Sequence, residues 1–373
     1  MKTLKEKGFN VEVWDVGPLC VPRYPRDDSA KRPNIEIKTF ESYECLQCAL
    51  GALSSDDVIL GLAGMSLEQA WPYRRLRKAV FNASARIATI TNGHSPFDRW
   101  STSWDKLRNL FSAHFSVTAF ARSLAGFMVY EVKTVVGTVI TLANRHRLDY
   151  VFAGVSTLGL DQGLIGKKTA IFHIHNLDAD ALLKVENRGI ATGEKHIVYL
   201  DSMGPLHPEL VAYQMSFKIG TSEFFSSNLR CLVHLQRQLG MPCVVAAHPR
   251  TQPGQLDAFF SPYPVFHQQT PELVAQSVCV IAEPSLSLGM VAWFNKPAII
   301  LWHRDLPDWN KQLLKDFQDA LGCAVWDVSD EKTWVIPRVD PVRYARYRES
   351  YLKKPGTTDK PFWEFVAEKL LIE

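Results

Sequence analysis

The sequence predicts an α/β protein made of two doubly wound, parallel-sheet domains. Two observations predict it. Short apolar runs alternate with longer amphipathic stretches along most of the chain. That alternation of β and α elements argues for parallel sheets covered on both faces. The chain has 373 residues, more than a single hydrophobic core usually serves.

In the first half the strand-like runs are Val11 to Val16, Val58 to Leu62, Ile87 to Ile90 and Tyr150 to Ala153, with Ile171 to His175 as a further candidate. In the second half they are His196 to Leu200, Cys243 to Ala247, Val278 to Ala282 and Ala298 to Trp302. Helical spacing covers Thr221 to Leu239 and Pro271 to Gln276. Pro361 to Ile372 reads as an amphipathic final helix with Asp359 as its N-cap. The polar segment Lys184 to Glu194, with Gly189 and Gly193, reads as a linker. It divides the chain into an N-terminal domain, 1–188, and a C-terminal domain, 189–373. The chain opens on a helix-like stretch, Lys2 to Gly8, followed by a strand. A doubly wound domain normally opens on a strand and a Gly-rich turn. Either the opening βα element is missing, or the natural start lies upstream.

Composition narrows the classes. Hydrophobic residues make up 46% and charged residues 22%, ordinary for a folded globular chain. A net charge of +3 falls short of a dedicated nucleic-acid binder and suits an anionic small substrate or an anionic membrane surface. Seven cysteines, odd in number and irregularly spaced, point to a reducing, cytoplasmic compartment. Cys45 and Cys48 form a lone CxxC without the second pair of a zinc ribbon, so a helix face is the plainer reading. The N-terminus carries no secretory signal pattern. The most apolar stretch, Phe115 to Ala143, is interrupted by Arg122, Glu131 and Lys133. It reads as a buried helix and strand, or a surface facing a membrane, rather than a spanning helix.

Three strand ends carry the chemistry. In HIVYLDSMGPLHPEL, Asp201 closes an apolar strand, where a carboxylate can act as general base. In CVVAAHPR, His248, Pro249 and Arg250 follow the next strand; His and Arg both suit a phosphate. In VCVIAEPSLSLGMVAWFNKPAIILW, the strand ends in Glu283, and Ser285, Ser287 and Gly289 open a helix. Hydroxyls, free N–H groups and a helix start favour an anion. Singly, each has a bland reading: a turn aspartate, a loop histidine, a capping serine. Ligands in open α/β sheets collect at strand carboxyl ends, so three such ends in one sheet point to a shared site.

The order of an aspartate strand end, HPR, then a Ser-rich turn, an apolar helix and Asn295-Lys296-Pro297 resembles the C-terminal half of bacterial GT-B glycosyltransferases. It is most similar to transferases of capsule and O-antigen clusters, in the pattern of sialyltransferases and Kdo transferases. The stretch GFNVEVWDVGPL, Gly8 to Leu19, resembles the second strand of their N-terminal domain. The resemblance implies two Rossmann-like domains facing across a cleft, with the C-terminal helix crossing back. It implies a metal-independent transfer from a nucleotide-sugar, with a CMP-linked acidic sugar as the leading donor, to a glycan or lipid-linked glycan. No cofactor and no nucleic-acid partner are expected. Asp201 would be the catalytic acidic residue, a general base if the reaction inverts and a nucleophile or positioning group if it retains configuration, with His248 as the second catalytic candidate. His248, Pro249, Arg250, Glu283, Ser285, Ser287 and Gly289 would hold the donor. This chain departs from the pattern in reading Leu-Asp-Ser-Met-Gly where a tandem acid and Gly are usual. Glu283 stands where His or Ser is common.

Asn92, His94, His175 and Asp178 are candidates for the acceptor side. His173, His175, Asp178 and Asp180 permit a metal reading, but a cleft edge explains them as well. His303, Arg304 and Asp305 are candidates for a donor contact or a solvated loop. The expected location is cytoplasmic, with a peripheral contact to the inner membrane. Three alternatives share the pattern: a nucleotide-sugar epimerase, a phosphoribosyl-type transferase, and a non-catalytic nucleotide-binding factor in polysaccharide assembly.

Overall fold

A computed structural model describes residues 2–20, 37–61, 74–91, 147–157, 164–189, 195–208, 218–306 and 308–372. They fall into two compact units. One draws on described residues within Met1–His94, Asp98–Ile174 and Trp363–Glu373; the other on those within His175–Phe362. Both are α/β with parallel sheets, which bears out the predicted class. Asn92, His94 and the stretch Phe115 to Ala143 lie outside the described residues.

In the first unit, β1 (Val13–Asp15) pairs in parallel with β2 (Ile37–Thr39). A second parallel sheet runs in simple order through β3 (Val58–Leu60), β4 (Arg86–Thr91), β5 (Tyr150–Gly154) and β6 (Ala170–Ile174). The helix Tyr43–Gly51 starts where Ser42 Oγ accepts the Cys45 N–H at 3.2 Å, as N-caps do. It buries Leu46 and Leu50 in the core that also holds Leu76, Val80, Val151 and Ala153. Cys45 and Cys48 lie exposed on that helix, and all seven cysteines are free.

The second unit is a six-stranded parallel sheet. Its strands are β7 (His196–Leu200), β8 (Cys243–Ala246), β9 (Val265–Phe266), β10 (Ser277–Ala282), β11 (Ala298–Trp302) and β12 (Ala324–Asp327). The spatial order is β12-β11-β10-β7-β8-β9. Counted from β9 this is the 3-2-1-4-5-6 order of a doubly wound nucleotide-binding fold. The chain reverses direction across the sheet between β7 and β10, which pair from Cys279↔Ile197 to Ala282↔Leu200.

Alternation along the strands loads both faces. Val198, Leu200, Val244, Ala246, Val280 and Ile300 face one core, shared with Leu182, Phe317, Tyr344 and Tyr347. Ile197, Tyr199, Val245, Ile281 and Leu301 face the other, shared with Phe224, Phe225, Leu232 and Trp326. Both faces are covered by helices, so every strand residue of β7 is buried.

The structure differs from the sequence reading at two places. Lys184 to Asn187 belong to a helix, Ala179–Asn187, not a linker, because Leu182, Leu183 and Val185 are buried. Gly189, at φ +76°, follows it. Asp359 does not cap the final helix, Phe362–Ile372. It pairs with Lys353 at 3.0 Å, and the Phe362 N–H donates to Asp180 Oδ1 at 2.8 Å. Among the described residues, no helix is long and apolar enough to cross a membrane.

β7 leaves the sheet through two residues in the left-handed region, Met203 at φ +63° and Gly204 at φ +43°. A Cβ on Gly204 would overlap the Phe224 ring, whereas Gly240, at φ +63°, faces open space. Gly204→Ala should therefore cost about 2–4 kcal/mol by denaturant unfolding, strain and overpacking together. Gly240→Ala should cost only about 1–2 kcal/mol. Equal costs would remove the packing explanation.

Candidate functional site

The carboxyl ends of β7, β8 and β10 open into one cavity of about 520 Å³ in the second unit. Asp201 and Ser202 enter from β7, His248 and Pro249 from β8, and Glu283, Ser285 and Ser287 from β10. This is the crevice at the reversal of strand order, where doubly wound sheets take ligands.

Asp201 is 7% exposed. Its Oδ1 accepts the Met203 N–H at 2.9 Å, and its Oδ2 accepts the His248 N–H at 3.2 Å and the Thr251 hydroxyl at 3.0 Å. A carboxylate has about four lone-pair sites, so three are filled and one, on Oδ1, is left. The bonds tie the turn after β7 to the turn after β8. Burial raises the Asp201 pKa, while these three bonds and the charge of His207 hold it down.

His248 Nδ1 accepts the Arg250 N–H at 3.2 Å, which leaves the ring proton of a neutral His248 on Nε2. The His207 ring stands edge-on to it, centroids 5.4 Å apart. Pro249 lines the cavity; Arg250 is exposed and is not among the lining residues.

After β10, the Ser285 and Ser287 hydroxyls are 2.5 Å apart. The N–H groups of Leu288, Gly289 and Met290 close the next turn on Ser285, Leu286 and Ser287 carbonyls. The helix that follows, Leu288–Trp293, has six residues. Gly289 lines the cavity, and its lack of a side chain serves packing: a Cβ there would stand 3.1 Å from Leu352 Cδ2.

Glu283 is the most buried charged group of the site, at 4% exposure. Its Oε1 accepts the Tyr199 hydroxyl and the Asn228 amide, each at 2.5 Å. Asn228 Oδ1 in turn faces His303 Nε2 at 2.8 Å, and the His303 ring stacks on Phe224 at 4.6 Å. Burial pushes the Glu283 pKa from 4.5 to about 7; the Tyr199 bond opposes this, and the charge of Asp201 adds to it. Burial also pushes His303 down to about 4.

The acceptor candidates separate. Asp178 lines this cavity at the start of the helix Ala179–Asn187. His175 is fully buried elsewhere, with Nδ1 2.8 Å from Asn176 O and Nε2 3.0 Å from Lys360 O. His173 is exposed on β6. Among the described residues, no three His, Cys, Asp or Glu side chains cluster as metal ligands.

Sequence reasoning placed His207 six residues after Asp201 without giving it a role, and missed Thr251, Tyr199 and Asn228. Asn228 had a signal: it is a polar residue on the apolar face Phe224, Phe225, Cys231, Leu232 and Leu235 of the helix Thr221–Leu239. Asn310 also lines the cavity, its buried Oδ1 without a partner among the described residues.

No family model matches the sequence, and no curated protein matches it. Solved structures align at low likeness. UDP-GlcNAc 2-epimerase from Methanocaldococcus jannaschii aligns over 100% of this chain and 94% of its own, at 12% identity and TM-score 0.42. Os79 from O. sativa, in complex with UDP, covers 99% of this chain and 95% of its own, at 12% identity and TM-score 0.40. The spinosyn forosaminyltransferase SpnP covers 85% and 75%, at 12% identity and TM-score 0.35. Likeness of this degree carries no weight for the chemistry of the cavity.

The raised Glu283 pKa has a stability consequence with a definite sign. The native state holds this proton more tightly than the unfolded chain does. Its stabilisation is complete below about pH 4.5 and is lost as pH rises through about 7. Relative to Glu283→Gln, the wild type should lose about 3 kcal/mol between pH 4.5 and 8 in denaturant unfolding. Parallel stability–pH curves would contradict the burial account.

Proposed function

We propose that this chain is a metal-independent glycosyltransferase of the GT-B type, with its donor site in the cavity between β7, β8 and β10. The carrying observation is the convergence of Asp201, His248, Glu283, Ser285 and Ser287 on one cavity at the reversal of a 3-2-1-4-5-6 sheet.

The donor is a nucleotide-activated sugar, with a CMP-linked acidic sugar as the specific reading. The acceptor is a hydroxyl of a bacterial surface polysaccharide or its lipid-linked precursor, served by the first unit. Transfer develops negative charge on the leaving phosphate. The Ser285 and Ser287 hydroxyls share one hydrogen bond, which leaves the pair one hydroxyl donor; with the His248 ring it is already held in place, which is electrostatic preorganisation. Asp201 holds the His248 turn in place through Oδ2, and its remaining Oδ1 lone pair takes the proton of the attacking hydroxyl.

Thermal unfolding with CMP, CDP, UDP, GDP and PRPP tests the reading. At a hundredfold excess over Kd a bound nucleotide adds about 2.7 kcal/mol of apparent stability. CMP should raise the midpoint, and His248→Ala or Ser285→Ala with Ser287→Ala should remove the rise. No response to any nucleotide would overturn the donor site. Turnover of a sugar donor without acceptor would favour an epimerase.

A further inference from the structure

A cavity suited to a phosphate should not present bare carboxylates to it. Three acidic side chains nevertheless line this one: Asp178 at a helix start, and Asp201 and Glu283 at strand ends. Asp201 resolves the conflict by accepting three protein donors. Glu283 is arranged differently.

Both protein donors to Glu283 converge on a single oxygen. Oε1 accepts from Tyr199 and from Asn228, which fills its two lone pairs. Oε2 is buried and has no hydrogen-bond partner among the described residues. The network behind it is directional. An amide oxygen only accepts, so His303 must donate through Nε2 to Asn228 Oδ1. His303 Nδ1, buried and also without a partner among the described residues, then carries no proton. The ring is neutral and offers Glu283 no positive charge.

The other groups that face Glu283 offer none either. From β7 come the Tyr199 hydroxyl and the negative Asp201, and from the following turn the Ser202 hydroxyl. From the helix Thr221–Leu239 come Asn228 and the Cys231 thiol, which burial keeps protonated. An ionised Glu283 would therefore be a buried charge beside a second carboxylate, with the Ser202 hydroxyl as its one further donor and none within hydrogen-bond distance of Oε2 among the described residues. A protonated Glu283 has the opposite balance. Oε1 acts as the carbonyl oxygen with both acceptor sites filled, and Oε2 carries the hydrogen.

We propose that Glu283 stands beside the cavity as a neutral carboxylic acid with its hydrogen on Oε2, and that this neutral form is the one that admits an anionic phosphate to the cavity. This rests on the nucleotide reading of the cavity. It removes a carboxylate charge from beside Ser285 and Ser287 and ties phosphate binding to retention of one proton. Raising the pH removes that proton and sets a carboxylate against the phosphate. The raised Glu283 pKa, about 7, agrees with this geometry.

Two measurements test it, each on the full chain. The first needs no ligand. An infrared difference between wild type and Glu283→Gln should show a protonated-carboxyl band at pH 6 that disappears by pH 9. Glutamine keeps an acceptor at Oε1 and a donor at Oε2, so this variant should fold. Tyr199→Phe, which removes a bond favouring the ionised form, should move the loss of the band to higher pH. No such band at pH 6 in the wild type would overturn the proposal, whatever the protein binds.

The second measures CMP affinity by calorimetry from pH 7 to 9, above the second ionisation of the phosphate at about 6. Wild-type affinity should fall about tenfold per pH unit at the upper end, the slope of one linked proton. Glu283→Gln should bind CMP with most of that slope gone. Equal slopes in the two proteins, or wild-type affinity that rises with pH, would overturn the link between this proton and phosphate binding. A titrating band with no CMP binding at any pH would overturn the nucleotide reading and that link together, leaving the protonated carboxyl established.

Discussion

Burying two carboxyl groups side by side at the ends of β7 and β10 sets the terms for the whole site. Charge taken out of water must be paired, bonded or neutralised. Asp201 draws in the Met203 and His248 amides and the Thr251 hydroxyl. Those bonds shape the turn after β7 into its left-handed step and hold the His248 turn against it. Glu283 draws in Tyr199 and Asn228, and through Asn228 the His303 ring. The two carboxyls thus draw described residues as far apart in sequence as Tyr199 and His303 to a single cavity.

The sheet makes this arrangement available. Parallel strands bring their carboxyl ends to one edge, and the reversal between β7 and β10 sends the connecting chains to opposite sides. A crevice results at that edge. Apolar cores on both faces, one around Leu182 and Phe317 and one around Phe225 and Trp326, keep the edge rigid. Hydroxyl donors and a histidine fixed on such an edge need little reorganisation to meet a phosphate. That is the physical basis for reading the cavity as a donor site.

Strands buried on both faces were legible in the sequence because they are continuous apolar runs. β7 and β11 span the residues read from the sequence, and β8 and β10 differ by a residue at one end. The long helix Thr221–Leu239 was legible from its period. β12, a short and half-buried edge strand, carried too little pattern. The site was legible as far as strand ends were. Asp201, His248, Glu283, Ser285 and Ser287 line the cavity, but Arg250, two residues after His248, is exposed. Nearness in sequence does not fix direction once Pro249 turns the chain. The Tyr199–Glu283–Asn228 network was illegible because its members are 29 and 55 residues or more apart. Only the mid-helix Asn228 hinted at it.

A nucleotide phosphate in the cavity between β7, β8 and β10 would be visible in a crystal structure of the chain grown with CMP. Phosphate density is expected within hydrogen-bond reach of Ser285 Oγ or Ser287 Oγ, with His248 and a protonated Glu283 alongside. A nucleotide bound outside the cavity, or within it with the phosphate away from these groups, would rule the donor site out.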